Sequence, residues 1–328
     1  MINRVLIFGY NSAGQKHLLP IKKILPASKI KVFVRKVKDS KNDYITKLNE
    51  IKIFRPQLSI VANPSSQRLN ICRFLIKNKS NILIEKPLSS NLSDAKKIFN
   101  LSKKNRNIIR IGYNLRQLSS LQYIKNIIKK KKLGKINFIR AEVGKYLPDW
   151  RNVNYRRSVS SSKKLGGGVL NELSHEIDYL QWIFGGFYSV FCDIQKRSNL
   201  KINVEDIANI ILFLKNGTPI NLSLDFCRRD NKRALYISGE KNSLKWDGIK
   251  NQINFFNPKK NKWSKILLKK ENILSTYLKQ IKNIVGIINK NDLNKKNVIS
   301  NVKSAFQVTK IINYARQSSL KKKLIYIK

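Results

Sequence analysis

Apolar positions in the first third of the chain come as short unbroken runs separated by amphipathic stretches. Val5 to Phe8 is the first run. Gly9 follows at once, then a helix-like segment in which Leu18, Leu19, Ile21, Ile24 and Leu25 recur. Ile30 to Val34, Leu58 to Ala62, Ile82 to Ile84 and Ile108 to Ile111 are further runs, the third of the five stopped by Asn63-Pro64 and the last by Gly112. Runs apolar at every position fit strands buried on both faces. Their alternation with helices of roughly 10–20 residues predicts βαβ units and a parallel, doubly wound sheet.

Beyond residue 115 the rhythm changes. Lys135 to Val143, Asp206 to Leu214 and Ile220 to Phe226 alternate with a period near two, and Ala234 to Ile237 and Ser243 to Trp246 are shorter segments of the same kind. Such strands have one wet face, most simply in an antiparallel sheet. Gly168 to Phe184 carries a helical stripe of Leu170, Leu173, Ile177, Leu180 and Phe184, and a last helix is expected over about Asn301 to Arg316. The fold class is therefore α/β: residues 1–117 form a dinucleotide-binding type of doubly wound domain, and residues 118–328 an α+β domain with an open, mostly antiparallel sheet.

Composition narrows the function classes. A chain of 328 residues suits two domains at roughly 100–200 residues each. Three scattered cysteines and two histidines exclude a disulfide framework and a structural zinc site. No apolar run approaches the roughly 18 residues of a membrane span, and the opening run is too short for a signal peptide. A cytoplasmic protein without a membrane partner is expected.

The 67 Lys and Arg against 19 Asp and Glu give a net charge of +48, which raises the alternative of a polyanion-binding protein. The Lys runs at 129–132, 259–262 and 321–323 are far apart and not interleaved with aromatics. That dispersal favours compositional drift toward Lys, Ile and Asn, with no specific nucleic acid as partner.

The residues between the first strand and first helix, Gly9-Tyr10-Asn11-Ser12-Ala13-Gly14, stand where a dinucleotide fold presents free helix N–H groups to a pyrophosphate. Asn11 occupies the usual second glycine; Asn tolerates left-handed backbone better than most residues, but its side chain takes up room. Arg35 and Lys36 follow the second strand where NAD enzymes place an acid, so a 2′-phosphate, and hence NADP over NAD, is preferred. In a chain this basic, two solvated cations are the plain alternative. Lys86 in Glu85-Lys86-Pro87 projects from the carboxyl edge of the sheet. Three glycines, 166–168, then open a helix on which Glu172, His175 and Asp178 recur every three residues and so share a face.

Taken in order, these segments resemble the Gfo/Idh/MocA family of nicotinamide-dependent oxidoreductases. The resemblance runs through the phosphate turn, Asn63-Pro64, Glu85-Lys86-Pro87, Gly112-Tyr113-Asn114-Leu115-Arg116, the stretch from Gly166 to Gly185, Val204 to Ala208, and Ser238-Gly239-Glu240 before Leu244 to Asp247. It implies a Rossmann domain, then an open-sheet domain whose free face makes a homodimer or homotetramer. It also implies hydride transfer between nicotinamide and a carbinol carbon of a sugar or nucleotide-sugar.

Carried over, Gly9, Asn11, Ser12, Ala13, Gly14, Arg35, Lys36, Asn63, Pro64, Glu85, Lys86 and Asn114 bind the cofactor. Lys86 hydrogen-bonds the reacting oxygen, His175 is the general acid–base, and Asp178 orients the substrate or the imidazole. Tyr146 to Arg157 resembles members associated with bacterial surface-polysaccharide sugars, with Arg151, Arg156 and Arg157 as candidates to hold an anionic substrate group; Trp150 and Tyr155 within it, and Arg116 and Asn171 outside it, are the further substrate candidates. The departures are Asn11, then Asn63 and Arg68 at the ends of a Thr-Pro-x-x-x-His pattern. In addition, Glu172 or Asn171 stands for an Asp that commonly precedes the histidine. A non-catalytic nucleotide-binding homologue is the remaining alternative.

Overall fold

The computed structural model describes residues 2–37, 42–151, 153–268, 271–289 and 298–327. Two compact units emerge, Met1–Gln117 with Asn272–Thr309, and Leu118–Glu271 with Lys310–Lys328.

The first unit begins β1 (Arg4–Phe8), α1 (Ser12–Ile24), β2 (Lys29–Phe33), β3 (Asp43–Ile45), α2 (Leu48–Phe54), β4 (Leu58–Val61), α3 (Arg68–Lys77), β5 (Asn81–Ile84), α4 (Leu92–Lys104) and β6 (Ile109–Ile111). These strands form one parallel sheet in the order β6-β5-β4-β1-β2-β3, the doubly wound order of dinucleotide-binding folds. Val5, Leu6 and Ile7 of β1 and Ile82, Leu83 and Ile84 of β5 are wholly buried, as their unbroken apolar runs require. Parallel register aligns the strand ends: Phe8 sits beside Phe33 and Val61, Val61 beside Ile84, and Ile84 beside Ile111. The residues that follow these ends therefore gather along one sheet edge.

The second unit contains α5 (Ser119–Lys129), β7 (Ile136–Gly144), α6 (Val169–Glu172), α7 (His175–Phe184), β8 (Phe187–Gln195), β9 (Ile207–Leu214), β10 (Pro219–Asp225), β11 (Lys232–Gly239), β12 (Ser243–Asp247), β13 (Gln252–Asn257) and β14 (Lys262–Ile266). The sheet runs β14-β13-β12-β11-β7-β10-β9-β8, antiparallel except where β10 lies parallel to β7. Ile220, Leu222 and Leu224 are buried, while Asn221 and Ser223 between them are exposed, which is the alternation of a sheet with one covered face. Trp246 on that covered face meets Tyr179 of α7 edge-on at 5.7 Å.

The chain then re-enters the first unit with α8 (Ile273–Ile288) and β15 (Ser300–Asn301), the latter antiparallel to β6. The last helix, α9 (Val302–Lys321), begins in the first unit and ends in the second, where β16 (Ile325–Tyr326) pairs with β8. The segment 272–309, which a division at 117/118 puts in the second domain, thus packs in the first unit. Ile281 and Ile284 of α8 are fully buried in the core formed by Val5, Ile7, Leu58 and Ile60. At about 1.5–3 kcal/mol for each fully buried side chain, that burial accounts for the return.

Candidate functional site

The phosphate turn lies at the aligned sheet edge. Gly9 has φ +93, and a Cβ on Gly14 would stand 2.1 Å from the Gly9 carbonyl oxygen, so the turn closes only on glycine there. Asn11 is the N-cap of α1 with φ −82 and ψ −174. That is extended backbone open to any residue, so the substitution of Asn for glycine costs no left-handed strain. Its exposed side chain makes no cap hydrogen bond, which leaves the N–H groups of Ser12, Ala13 and Gly14 without a side-chain acceptor. An uncapped helix start behind a glycine turn fits a dinucleotide pyrophosphate. Arg35 and Lys36 are exposed directly after β2, at the same edge.

Asn63 and Glu85-Lys86 follow β4 and β5. Asn63 is 7% exposed, and its side-chain Oδ1 is buried without a hydrogen-bond donor. Glu85 is buried, and its Oε1 lies 2.6 Å from Nε2 of His17, which is wholly buried on α1. Its Oε2 accepts the Lys86 N–H at 3.2 Å. The buried Arg68 guanidinium donates to the carbonyls of Asn63, Glu85, Lys86 and Pro87.

Burial pushes the Glu85 carboxyl up, but the hydrogen bond and charge of His17, then the charges of Arg68 and Lys86, outweigh it and hold it below its ordinary 4.5. A carboxyl depressed on folding contributes stability that is complete above 4.5 and is lost as pH falls through its lower folded value. Glu85→Gln is therefore expected to melt below the parent at neutral pH, with the gap closing in acid. Thermal melts across that pH range check this; a gap that does not close in acid contradicts it.

Asn114 and Arg116 sit in a buried turn after β6. Asn114 donates to Thr276 Oγ1 of α8 at 2.6 Å, and Arg116 to Ser304 Oγ of α9 at 2.7 Å. Each is 3% exposed, and these bonds hold the returning helices.

In the second unit the expected continuous helix is broken. α6 ends at Glu172 and α7 starts at His175, with Leu173-Ser174 between. Ser174 Oγ donates to the Asn171 carbonyl at 2.9 Å, competing for the acceptor a continuous helix would give the His175 N–H. His175 and Asp178 still share a face of α7, but Glu172 does not belong to it. Glu172 accepts from Ser160 Oγ at 2.9 Å and pairs with Arg151 at 3.6 Å. Asn171 is buried and donates to the carbonyls of Gly166 and Gly167, clasping the glycine turn. A Cβ on Gly167 would lie 2.2 Å from the Val159 carbonyl oxygen, so that glycine serves a backbone contact. Asp178 is 1% exposed and His175 half-buried.

Trp150, Arg151 and Tyr155 line one small recess with Ser160 at its wall. The Trp150 N–H donates to the Lys145 carbonyl at 2.8 Å and its ring meets Phe226 edge-on, so its position is fixed. Arg156, exposed, lies 5.9 Å from the Tyr155 ring; its hydrogen bond, then that of the Lys201 N–H, hold the Tyr155 phenol below its ordinary value.

Sequence reasoning missed the partnership of His17 with Glu85 and the burial of Arg68. A signal was present in both helices: Gly14, His17 and Ile21 share the buried stripe of α1, and Arg68, Cys72, Leu75 and Ile76 that of α3. A charged or titratable residue on an apolar stripe announces a buried partner.

A doubly wound sheet with a phosphate turn is the arrangement of a dinucleotide-binding fold. Residues 3–113 match the oxidoreductase family with NAD-binding Rossmann fold, and residues 121–245 the GFO/IDH/MocA C-terminal domain. Together the two matches span well over half of the chain, which belongs to the Gfo/Idh/MocA oxidoreductase family. Glucose-6-phosphate 3-dehydrogenase of Bacillus subtilis is 24% identical over 57% of this chain and 56% of its own length. The chain spans under two thirds of the length of the curated relatives it matches.

Levoglucosan dehydrogenase in complex with NADH superposes with TM-score 0.86 at 15% identity, covering 99% of both chains. The WlbA dehydrogenase of Bordetella pertussis, in complex with NADH and UDP-GlcNAcA, superposes with TM-score 0.82 at 15% identity, covering 99% of this chain and 97% of that one. Among the described residues no helix is long and apolar enough to cross a membrane.

Proposed function

We propose that this protein is an NAD(P)-dependent oxidoreductase acting on a carbinol carbon of a sugar or nucleotide-sugar. The observation that carries the reading is the uncapped start of α1 behind Gly9 and Gly14, aligned by sheet register with the Lys86 turn. A bound nicotinamide dinucleotide supplies or accepts the hydride. The N–H groups of Ser12, Ala13 and Gly14 hold its pyrophosphate, and Arg35 and Lys36 favour a 2′-phosphate. Lys86 holds the substrate oxygen and moves its proton, and His175 is the second proton-handling group, with Asp178 one helical turn along.

The guanidinium of Arg151 and the exposed Arg156 supply cations for a phosphate or carboxylate of such a substrate. The levoglucosan and UDP-GlcNAcA complexes of structural neighbours support the same substrate class, and a role in surface-polysaccharide sugar metabolism is part of this proposal. The open face of the second sheet is the proposed contact of a homodimer or homotetramer, in the cytoplasm.

The test is a fluorescence titration with NADH and NADPH at physiological and at high salt, followed by turnover assays over sugars, sugar phosphates and UDP-sugars. High salt is needed because a +48 chain attracts any dinucleotide. Saturable binding at both salts is expected; none at either overturns the reading. The Arg35→Ala, Lys36→Ala double variant should lose about tenfold in NADPH affinity, the scale of one or two charge-assisted hydrogen bonds, and little for NADH. Equal effects on the two cofactors contradict the 2′-phosphate assignment.

A further inference from the structure

The most heavily braced backbone at the sheet edge is the turn that carries Lys86. Arg68, 4% exposed on α3, reaches four carbonyls: Asn63 at 3.1 and 3.2 Å, Lys86 at 3.4 Å, and those of Glu85 and Pro87. On the other side Glu85 accepts the Lys86 N–H and is itself gripped by His17. Every one of these groups lies in the first unit. His17 rides on α1, the helix whose first turn is proposed to hold the phosphates, and Asn63 follows β4. Two strand-end turns and the phosphate helix therefore converge on one buried arrangement of His17, Glu85 and Arg68.

A buried guanidinium is costly unless each donor finds an acceptor, and here the acceptors are main-chain carbonyls of the Lys86 turn itself. A fold needing only hydrophobic closure would place an apolar residue at this point of the α3 stripe, beside Cys72 and Leu75. The planar fork of Arg spans several carbonyls at fixed spacing, which a Lys ammonium at the same site does not. The main chain on both sides of Lys86 is thus pinned by buried charged groups.

We infer that Arg68, with the His17–Glu85 pair, positions the Lys86 turn against the nicotinamide half of the cofactor. Arg68 and His17 are positioning residues: they act through the backbone on either side of Lys86. The inference rests on the oxidoreductase reading for what Lys86 faces, but the brace itself does not.

The experiment uses two probes on the full chain. ADP-ribose reports the phosphate turn alone; NADH reports that turn and the nicotinamide side. Arg68→Met is expected to weaken NADH about tenfold, the scale of a lost hydrogen-bond set to a charged group, and to reduce the emission of bound NADH, with ADP-ribose affinity near parental. Arg68→Lys should recover the melting temperature more than the NADH emission, because it restores charge without the fork. His17→Gln, which keeps a donor toward Glu85, should stay closer to the parent than His17→Ala. A purely structural Arg68 would weaken both probes together, and that result overturns the inference, as does parental NADH emission in folded Arg68→Met.

If Arg68→Met does not fold, the Arg68→Lys and His17 variants decide by the same criterion. If the parent binds neither probe, the oxidoreductase reading fails. The brace is then read from hydrogen exchange at the Lys86 amide: faster exchange in Arg68→Lys than in the parent supports it, and equal exchange overturns it.

Discussion

Lys86→Met is expected to lower kcat by about 10²–10⁴-fold, the usual contribution of a positioned proton-transfer group, while NADH binds near its parental affinity. Arg68 and Glu85 hold the backbone around Lys86 through main-chain carbonyls and the Lys86 N–H, all of which remain when the side chain is replaced. Methionine keeps the length and the apolar stem, which separates the lost charge from lost packing. The measurement pairs steady-state rates on whichever sugar the parent turns over with an NADH fluorescence titration of the same preparation. Parental turnover in Lys86→Met removes Lys86 from the chemistry. A parent that binds cofactor but turns over nothing in the panel, and matches its Lys86→Met variant throughout, is instead the non-catalytic homologue.

The parts of the fold legible in the sequence are those where one physical demand dominates. β1, β4 and β5 are buried on both faces, so their positions are apolar apart from Arg4 and Asn81 at the strand starts and the buried Ser59, and the pattern has one reading. β9 and β10 show the opposite regularity, strict alternation, because one face of their sheet is covered. The strands β13 and β14 escaped because, near the end of the sheet, their residues are mostly half-buried and no periodicity is enforced. α8 escaped for a different reason: Thr276, Gln280 and Asn283 are buried among Tyr277, Ile281 and Ile284, so polar residues interrupt the stripe a helix is recognised by.

The candidate site divides along the same line. Gly9, Arg35, Lys36 and Lys86 lie just beyond strand ends and Gly14 in the first turn of the helix after β1, and a parallel sheet brings strand ends together whatever lies between them. The pairing of His17 with Glu85 spans 68 residues of sequence and depends on side-chain direction, which no local pattern carries. Glu172 was misplaced by a single hydroxyl: Ser174 ends the short helix before His175 and leaves Glu172 turned toward Ser160 and Arg151. Local competition for one carbonyl thus decided which carboxylate shares the histidine's face.

Gly14→Ala is expected to cost both NADH and ADP-ribose at least about hundredfold in affinity, because the loss of two or three charge-assisted hydrogen bonds amounts to that much. The added methyl would lie 2.1 Å from the Gly9 oxygen, and the obstacle is backbone, so the first turn of α1 must move away from the position that offers its N–H groups to phosphate. A gentler companion is Ser12→Pro. Proline suits the first helical position, and Asn11 before it is already extended at φ −82 and ψ −174, as the residue preceding a proline prefers. That variant keeps the helix and deletes one donor, so its loss should be about tenfold and again equal for the two probes. Equal loss is what separates this turn from the Arg68 brace, whose removal discriminates between them. ADP-ribose bound at parental affinity by folded Gly14→Ala and Ser12→Pro would show that the phosphates do not sit at α1. The assignment of the whole sheet edge would then have to be abandoned.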